Sequence, residues 1–230
     1  MKRIILFLLI ATPLLSACHG GFRINRTSYV QAYTEYSARL LVNLQTKDNS
    51  VTGFYVSAIP QGRYADIRSE GEDKEWFDEL CEQHSDISYN YSGPNIGYDW
   101  VYEFYPWCIS PDISAVDVIT ERYFDNNHPA GSSIADCLDV TFESANRFIQ
   151  EGYPKGREND HIGIITKVLK DVLPEDLVLL VNVEHLLTFS FRTYPEDTET
   201  YLLRIVCNDV NGRQITGTLD YHDGVTFDTD

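Results

Sequence analysis

The chain reads as a mainly β protein, an immunoglobulin-like β-sandwich carrying helical insertions. Three observations point there. Roughly eight or nine short segments have strand character, most of them bounded by turn residues. Two of those turns, Asn211-Gly212 and Asp223-Gly224, are hairpin dipeptides that suit positive φ. The two helical patterns do not alternate regularly with the strands, which argues against a doubly wound parallel sheet.

Taken in order, residues 18–28 read as a short tether with glycines and no apolar periodicity. A single domain is expected over 29–230, with an acidic and aromatic insertion near 69–107. Tyr29 to Leu44 is read as extended, although Leu40, Leu41 and Leu44 would also suit a helix face. Asp48-Asn49-Ser50 marks a turn, and Val51 to Ile59 a strand that Pro60 ends. Residues 69–84 predict a helix, with Ser69 and Glu72 as a capping box. Trp76, Phe77, Leu80, Cys81 and His84 share one face of it. In residues 98–104, Tyr98, Trp100, Tyr102 and Phe104 alternate with Asp99, Val101 and Glu103, so a strand would align four rings. Pro111 to Thr120 is a further strand, interrupted by Asp117. Asp125 to Ile134 is a turn leading into a short helix, with Ser133 and Asp136 as a second capping box. Asp160 to Leu173 has helical spacing at Ile162, Ile165, Val168, Leu169 and Val172, and Pro174 stops it. Strands are expected at 177–183, 186–194, 201–207, 214–221 and 225–227.

The first seventeen residues stand apart. Lys2 and Arg3 precede an apolar run from Ile4 to Leu15, and Leu15-Ser16-Ala17-Cys18 closes it. This resembles a bacterial lipoprotein signal with its lipobox, and the run is shorter than the about 20 residues a spanning helix needs. The resemblance implies cleavage before Cys18 and acylation of its thiol. The expected location is the cell envelope, at the outer membrane, with the lipid as membrane contact. Removing Lys2 and Arg3 takes the formal charge from −17 to −17 − 2 = −19. So acidic a chain is not expected to bind nucleic acid, which needs clustered Lys and Arg.

Four cysteines remain: Cys81, Cys108, Cys137 and Cys207. In an exported chain they permit two disulfides, and bridges 81–108 and 137–207 would tie the insertion and the short helix to the body. Free thiols or a metal site are the alternatives. Cys81 and His84 have Cys-x-x-His spacing, but Cys108 and Cys137 lack partners at ligand spacing, so neither metal nor cofactor is expected.

The segment His128-Pro129-Ala130-Gly131-Ser132-Ser133-Ile134, preceded by Ile119-Thr120 and followed by C-terminal strands, resembles an uncharacterised Bacteroidetes-type lipoprotein family. In that family, a domain of unknown function, a His-Pro-Ala-Gly-Ser segment precedes a β meander. The resemblance covers about a third of the mature chain and implies location and a β-rich fold, not an activity.

Candidate chemistry is sparse. His128 lies near Asp125, Ser132 and Ser133, but no Gly-x-Ser-x-Gly elbow exists, and a turn explains the Pro and Gly. Asp160-His161, Glu184-His185 and His222-Asp223 lack the spacing of a metal site. Asp209-Val210-Asn211-Gly212 lacks the downstream Glu of a calcium loop. The aromatic segment remains the best ligand-binding candidate, with Tyr98, Trp100 and Tyr102 as stacking rings and Asp99 and Glu103 taking hydroxyls. Buried rings on the inner face of a sheet are the competing reading. The expected function is a non-enzymatic binding module with a glycan or protein partner; an envelope hydrolase acting on glycan or peptide is the rival.

Overall fold

Two long strands carry the architecture. β2 (Ala32–Lys47) and β3 (Ser50–Asp66) pair antiparallel along nearly their whole length, and every larger layer attaches to one of them. Their inner positions alternate as a half-buried ladder requires: Leu40, Phe54, Val56 and Ala58 are buried, whereas Leu41, Asn43 and Gln45 face out. The computed structural model describes residues 23–48, 50–89, 91–94, 106–154, 163–197, 200–222 and 225–226. Tyr98, Asp99, Trp100, Tyr102, Glu103 and Cys18 lie outside the described residues.

The protein is mainly β. Its other strands are β1 (Arg23–Arg26), β4 (Tyr91–Pro94), β5 (Trp107–Ile109), β6 (Ile113–Thr120), β7 (Leu138–Ser144), β8 (Gly163–Val168), β9 (Leu187–Phe191), β10 (Thr200–Asp209), β11 (Gln214–His222) and β12 (Val225–Thr226). They form one curled mixed sheet in the order β6-β10-β11-β2-β3-β9-β7-β8, with β12 added to β11 and β5 to β2. β1 and β4 make a separate antiparallel pair, so the predicted tether is already structured at Arg23. The β11–β2 and β2–β5 contacts are parallel and the other pairings antiparallel. β2 joins the two halves by shifting register between Thr34 and Leu40. Gly217 lets β11 approach there, since a Cβ at that position would lie 2.6 Å from Val42 Cγ2 and 3.0 Å from Leu40 Cβ.

One core draws on both halves. Val118, Leu203, Ile205 and Ile215 come from one side and Phe54, Val140, Phe142 and Phe189 from the other. A second core lies at the opposite end of β2, under α1 (Gly71–Gln83). There Phe77, Leu80 and Cys81 pack with Tyr29, Val30, Tyr33 and Leu179, and with Phe148 of α2 (Asn146–Gln150). The α1 face is the one its periodicity predicts. Its predicted cap is not: Glu70 occupies the N-cap without a side-chain bond, and Ser69 Oγ instead accepts from Asp66 N–H at 2.9 Å.

Several sequence expectations are corrected. The helix expected at 160–173 is strand β8 and a 3-10 turn at 169–171. Its Ile-Ile-Thr-Lys-Val run has β-branched residues suited to a ladder, and the free edge of β7 supplies the partner, with Thr141 and Thr166 hydroxyls 2.9 Å apart. The short helix expected after Ser133 is absent. Ile134 is instead pinned to β6, its N–H donating to Val118 O at 2.9 Å, and β7 follows with Leu138, Val140 and Phe142 inward. Pro60 does not end β3; it sits opposite Tyr36, where the ladder is already irregular and no N–H is required. Residues 177–183 contribute only isolated bridges, Leu180 to Ser144 and Val181 to Cys108. In the 209–213 turn only Gly212 has positive φ.

The expected disulfides are also corrected: Cys81, Cys108, Cys137 and Cys207 are free and buried. Cys81 and Cys108 share the α1 core, and Cys137 and Cys207 the main one. Cys108 Sγ contacts Leu179 O at 3.7 Å. Burial pushes the Cys81 and Cys207 thiols up to about 12 and Cys108 well above its ordinary value.

Candidate functional site

The end of the sheet at the β2–β3 hairpin gathers an aromatic pocket from four strands and a loop. Ser50 begins β3, Phe191 ends β9, Tyr194 and Pro195 lie in the following loop, Tyr201 is near the start of β10, and Tyr221 near the end of β11. The pocket holds about 330 Å³, and none of the described residues lining it is charged. Tyr201 and Tyr221 are cross-strand partners with stacked rings, 4.8 Å between centroids at 21°. Phe191 meets Tyr201 edge-on at 5.8 Å and Tyr194 at 5.4 Å. Tyr194 is 48% exposed and forms the open side. Tyr201 is 3% exposed, and its hydroxyl has no hydrogen-bond partner among the described residues. Burial, with the Tyr221 and Tyr194 hydroxyls adding, pushes the Tyr201 phenol well up.

One wall of this pocket is fastened to the His128 segment. Arg192 and Thr193 N–H groups both donate to Cys137 O, at 2.9 and 3.3 Å, and Glu196 N–H donates to Phe124 O at 2.8 Å. The Glu196 carboxylate accepts from the Tyr123 hydroxyl at 3.0 Å and the Asn126 amide at 3.3 Å. The segment itself folds back on β6: Gly131 N–H donates to Thr120 O at 2.7 Å and Thr120 N–H to Ser132 O at 2.9 Å. Ser133 Oγ donates to Asp117 Oδ1 at 2.6 Å, which explains how an acid is tolerated in that strand.

His128 sits between two carboxylates, with Nδ1 2.7 Å from Asp125 Oδ1 and Nε2 3.1 Å from Asp136 Oδ1. Asp125 also accepts from the N–H groups of Asn127 and His128, an Asx turn. Partial burial opposes charge on both groups. The His128 contact and these N–H groups nevertheless hold Asp125 below the usual carboxylate range, and Asp125 and Asp136 raise His128. Desolvation, with Asp136 and Asp125 beside it, pushes the Cys137 thiol up to about 11. Asp125, His128 and Cys137 hold potential ligand atoms within 4.8 Å of one another. Cys137 Sγ, however, lies 3.8 and 3.9 Å from the two ring nitrogens, on neither lone-pair axis, and carboxylates already face both nitrogens. The arrangement works as an ionic clamp on the loop rather than as a nucleophile–base pair.

The clamp has a testable pH signature. A raised folded pKa for His128 means its stabilisation is complete below about pH 6.5 and is lost as pH rises through the folded value. Urea unfolding should therefore show His128→Gln destabilised most in mild acid, with the gap to wild type narrowing towards pH 9.

At the α1 end a second cleft, of about 610 Å³, runs between α1 and residues 27–28, 67–68 and 86–87. Two of its cations have carboxylate partners: Arg68 meets Asp66, and Lys74 meets Asp78. Asp86 is fully buried and accepts from Tyr29 N–H at 2.7 Å, Val30 N–H at 2.8 Å and the Tyr153 hydroxyl at 2.9 Å. Asp112 accepts from Leu179 N–H at 2.9 Å and faces His84 Nε2 at 3.5 Å. Burial raises both carboxyls despite these contacts. These acids hold backbone together.

The pocket residues escape sequence reading because their positions share no spacing. The signal that could have found two of them is the hairpin, since Tyr201 and Tyr221 lie equally far from Asn211. The sequence-predicted ligand residues 98–103 fall outside the described residues. Comparison with known proteins finds no matching family model, no similar curated protein and no similar solved structure.

Proposed function

We propose that this chain is exported, acylated at Cys18 and held in the cell envelope, anchored by lipid to the outer membrane, as a non-enzymatic binding module. The signal-like N-terminus and the likeness of residues 128–134 to the Bacteroidetes-type lipoprotein family support the location. One geometric observation carries the reading. Tyr29, eleven residues after Cys18, is tied at one end of β2, and the aromatic pocket lies beyond its other end. At about 3.3 Å per residue, the 16-residue β2 spans up to about 50 Å. A lipid at Cys18 would thus leave the pocket on the side away from the bilayer.

The curled sheet closing on one core supports an immunoglobulin-like sandwich in which α1 belongs to an insertion. A glycan or protein is the partner class that suits an uncharged, aromatic pocket on an acidic chain; nucleic acid is not. The rival reading, an envelope hydrolase, finds less support, because the His128 nitrogens face carboxylates and Cys108 is wholly buried.

Cys18→Ala tests the anchor by cell fractionation. The variant should leave the membrane fraction and lose lipid label; persistence of both would overturn the location.

A further inference from the structure

We propose that the pocket formed by Phe191, Tyr194, Tyr201 and Tyr221 is a carbohydrate site for one pyranose unit of a neutral glycan, an assignment that rests on the binding-module reading. Its volume of about 330 Å³ is at the small end of ligand sites, which run from about 300 to 1,000 Å³. One or two sugar rings fit such a space, whereas a long acyl chain or an extended peptide does not.

The chemistry narrows the class further. A pyranose presents C–H faces that pack on aromatic rings and an equator of hydroxyls that need hydrogen bonds. Tyr194 offers an exposed ring, and Ser50, Tyr194, Tyr201 and Tyr221 offer hydroxyls around one space. The Tyr201 hydroxyl is the telling group. It belongs to a lining residue and has no partner among the described residues. It is closed to solvent, so a ligand reaches it only where the lining rings part, and there a sugar hydroxyl, unlike an aliphatic ligand, satisfies it. No cation stands among the described lining residues to recognise phosphate, sulfate or uronate, and the chain's net charge of −17 opposes anionic sugars. The 192–197 wall is held in advance by its bonds to Cys137 and Phe124, so a rigid ligand meets a prepared surface.

The test uses the mature chain with Cys18→Ser, titrated calorimetrically with cellohexaose, maltohexaose, chitohexaose and mannohexaose, and separately with indole. At least one oligosaccharide should bind. Tyr194→Ala should weaken that binding about tenfold. Tyr201→Phe removes only the unpartnered hydroxyl, so it should weaken sugar binding about tenfold while leaving the melting temperature unchanged or higher. A Tyr201→Phe variant that binds sugar like wild type would overturn the assignment. Indole binding lost in Tyr194→Ala, with no oligosaccharide bound, would overturn the carbohydrate class and leave a binding pocket. Binding of neither probe would overturn both.

Discussion

Asp86→Ala is expected to cost about 2–6 kcal/mol of stability, because the buried N–H groups of Tyr29 and Val30 lose their acceptor, at about 1–3 kcal/mol each, while the Tyr153 hydroxyl is left with its longer contact to Ser85 O at 3.4 Å. Thermal unfolding should register this as a drop of roughly 10–20 °C for a domain of this size. The reason so much depends on one side chain begins with the end of α1. Ser85, at φ 59°, turns the chain, its N–H donating to Glu82 O at 3.0 Å, while Asp86 N–H donates to Cys81 O at 2.8 Å. This is a Schellman stop with serine where glycine is usual. It delivers the carboxylate to Tyr29 and Val30, just ahead of β2. Asp86→Asn should retain part of the effect, since an amide oxygen still accepts while its NH₂ faces a donor. A melting temperature unchanged in Asp86→Ala would mean that β2 is anchored without this contact.

Gly53→Ala should destabilise by about 3 kcal/mol or more, above the usual range for overpacking, because backbone and not side chain is in the way. A Cβ there would lie 1.9 Å from Phe189 O and 2.9 Å from Phe189 C. The β3–β9 ladder, four residue pairs from Gly53–Ser190 to Val56–Leu187, must part to admit it. With it goes the stacked pair Phe54–Phe189, 4.7 Å apart and fully buried. Gly131→Ala is the control: its φ of +84° is strained for alanine, but nothing lies within 4 Å, so about 1 kcal/mol is expected. Denaturant unfolding of the two variants side by side separates steric exclusion from backbone preference. Equal costs would refute the clash.

The α1 helix was legible because its information is local. Phe77, Leu80 and Cys81 recur at helical spacing, and nothing distant competes for residues 71–83. The β10–β11 hairpin was legible for the same reason, its turn residues standing beside the strands they join. Residues 163–168 show the opposite case. Their apolar spacing suits a helix on its own, but the exposed edge of β7 decided the matter, and β7 itself was overlooked although Leu138, Val140 and Phe142 alternate cleanly. The 133–136 capping box failed similarly, since Ser133 found Asp117 on β6 and Ile134 found the core.

By itself the sequence determined a β-rich class, an acidic surface, the α1 face and the turn character of 125–131, because periodicity, charge and turn chemistry act within a few residues. Tertiary structure alone decided that Gly53 must be glycine, that the four cysteines are buried as free thiols, and that Phe191, Tyr194, Tyr201 and Tyr221 meet in one pocket. Those outcomes depend on which strands pair across the sheet, and strand pairing is set by burial of both faces at once rather than by any local run of residues.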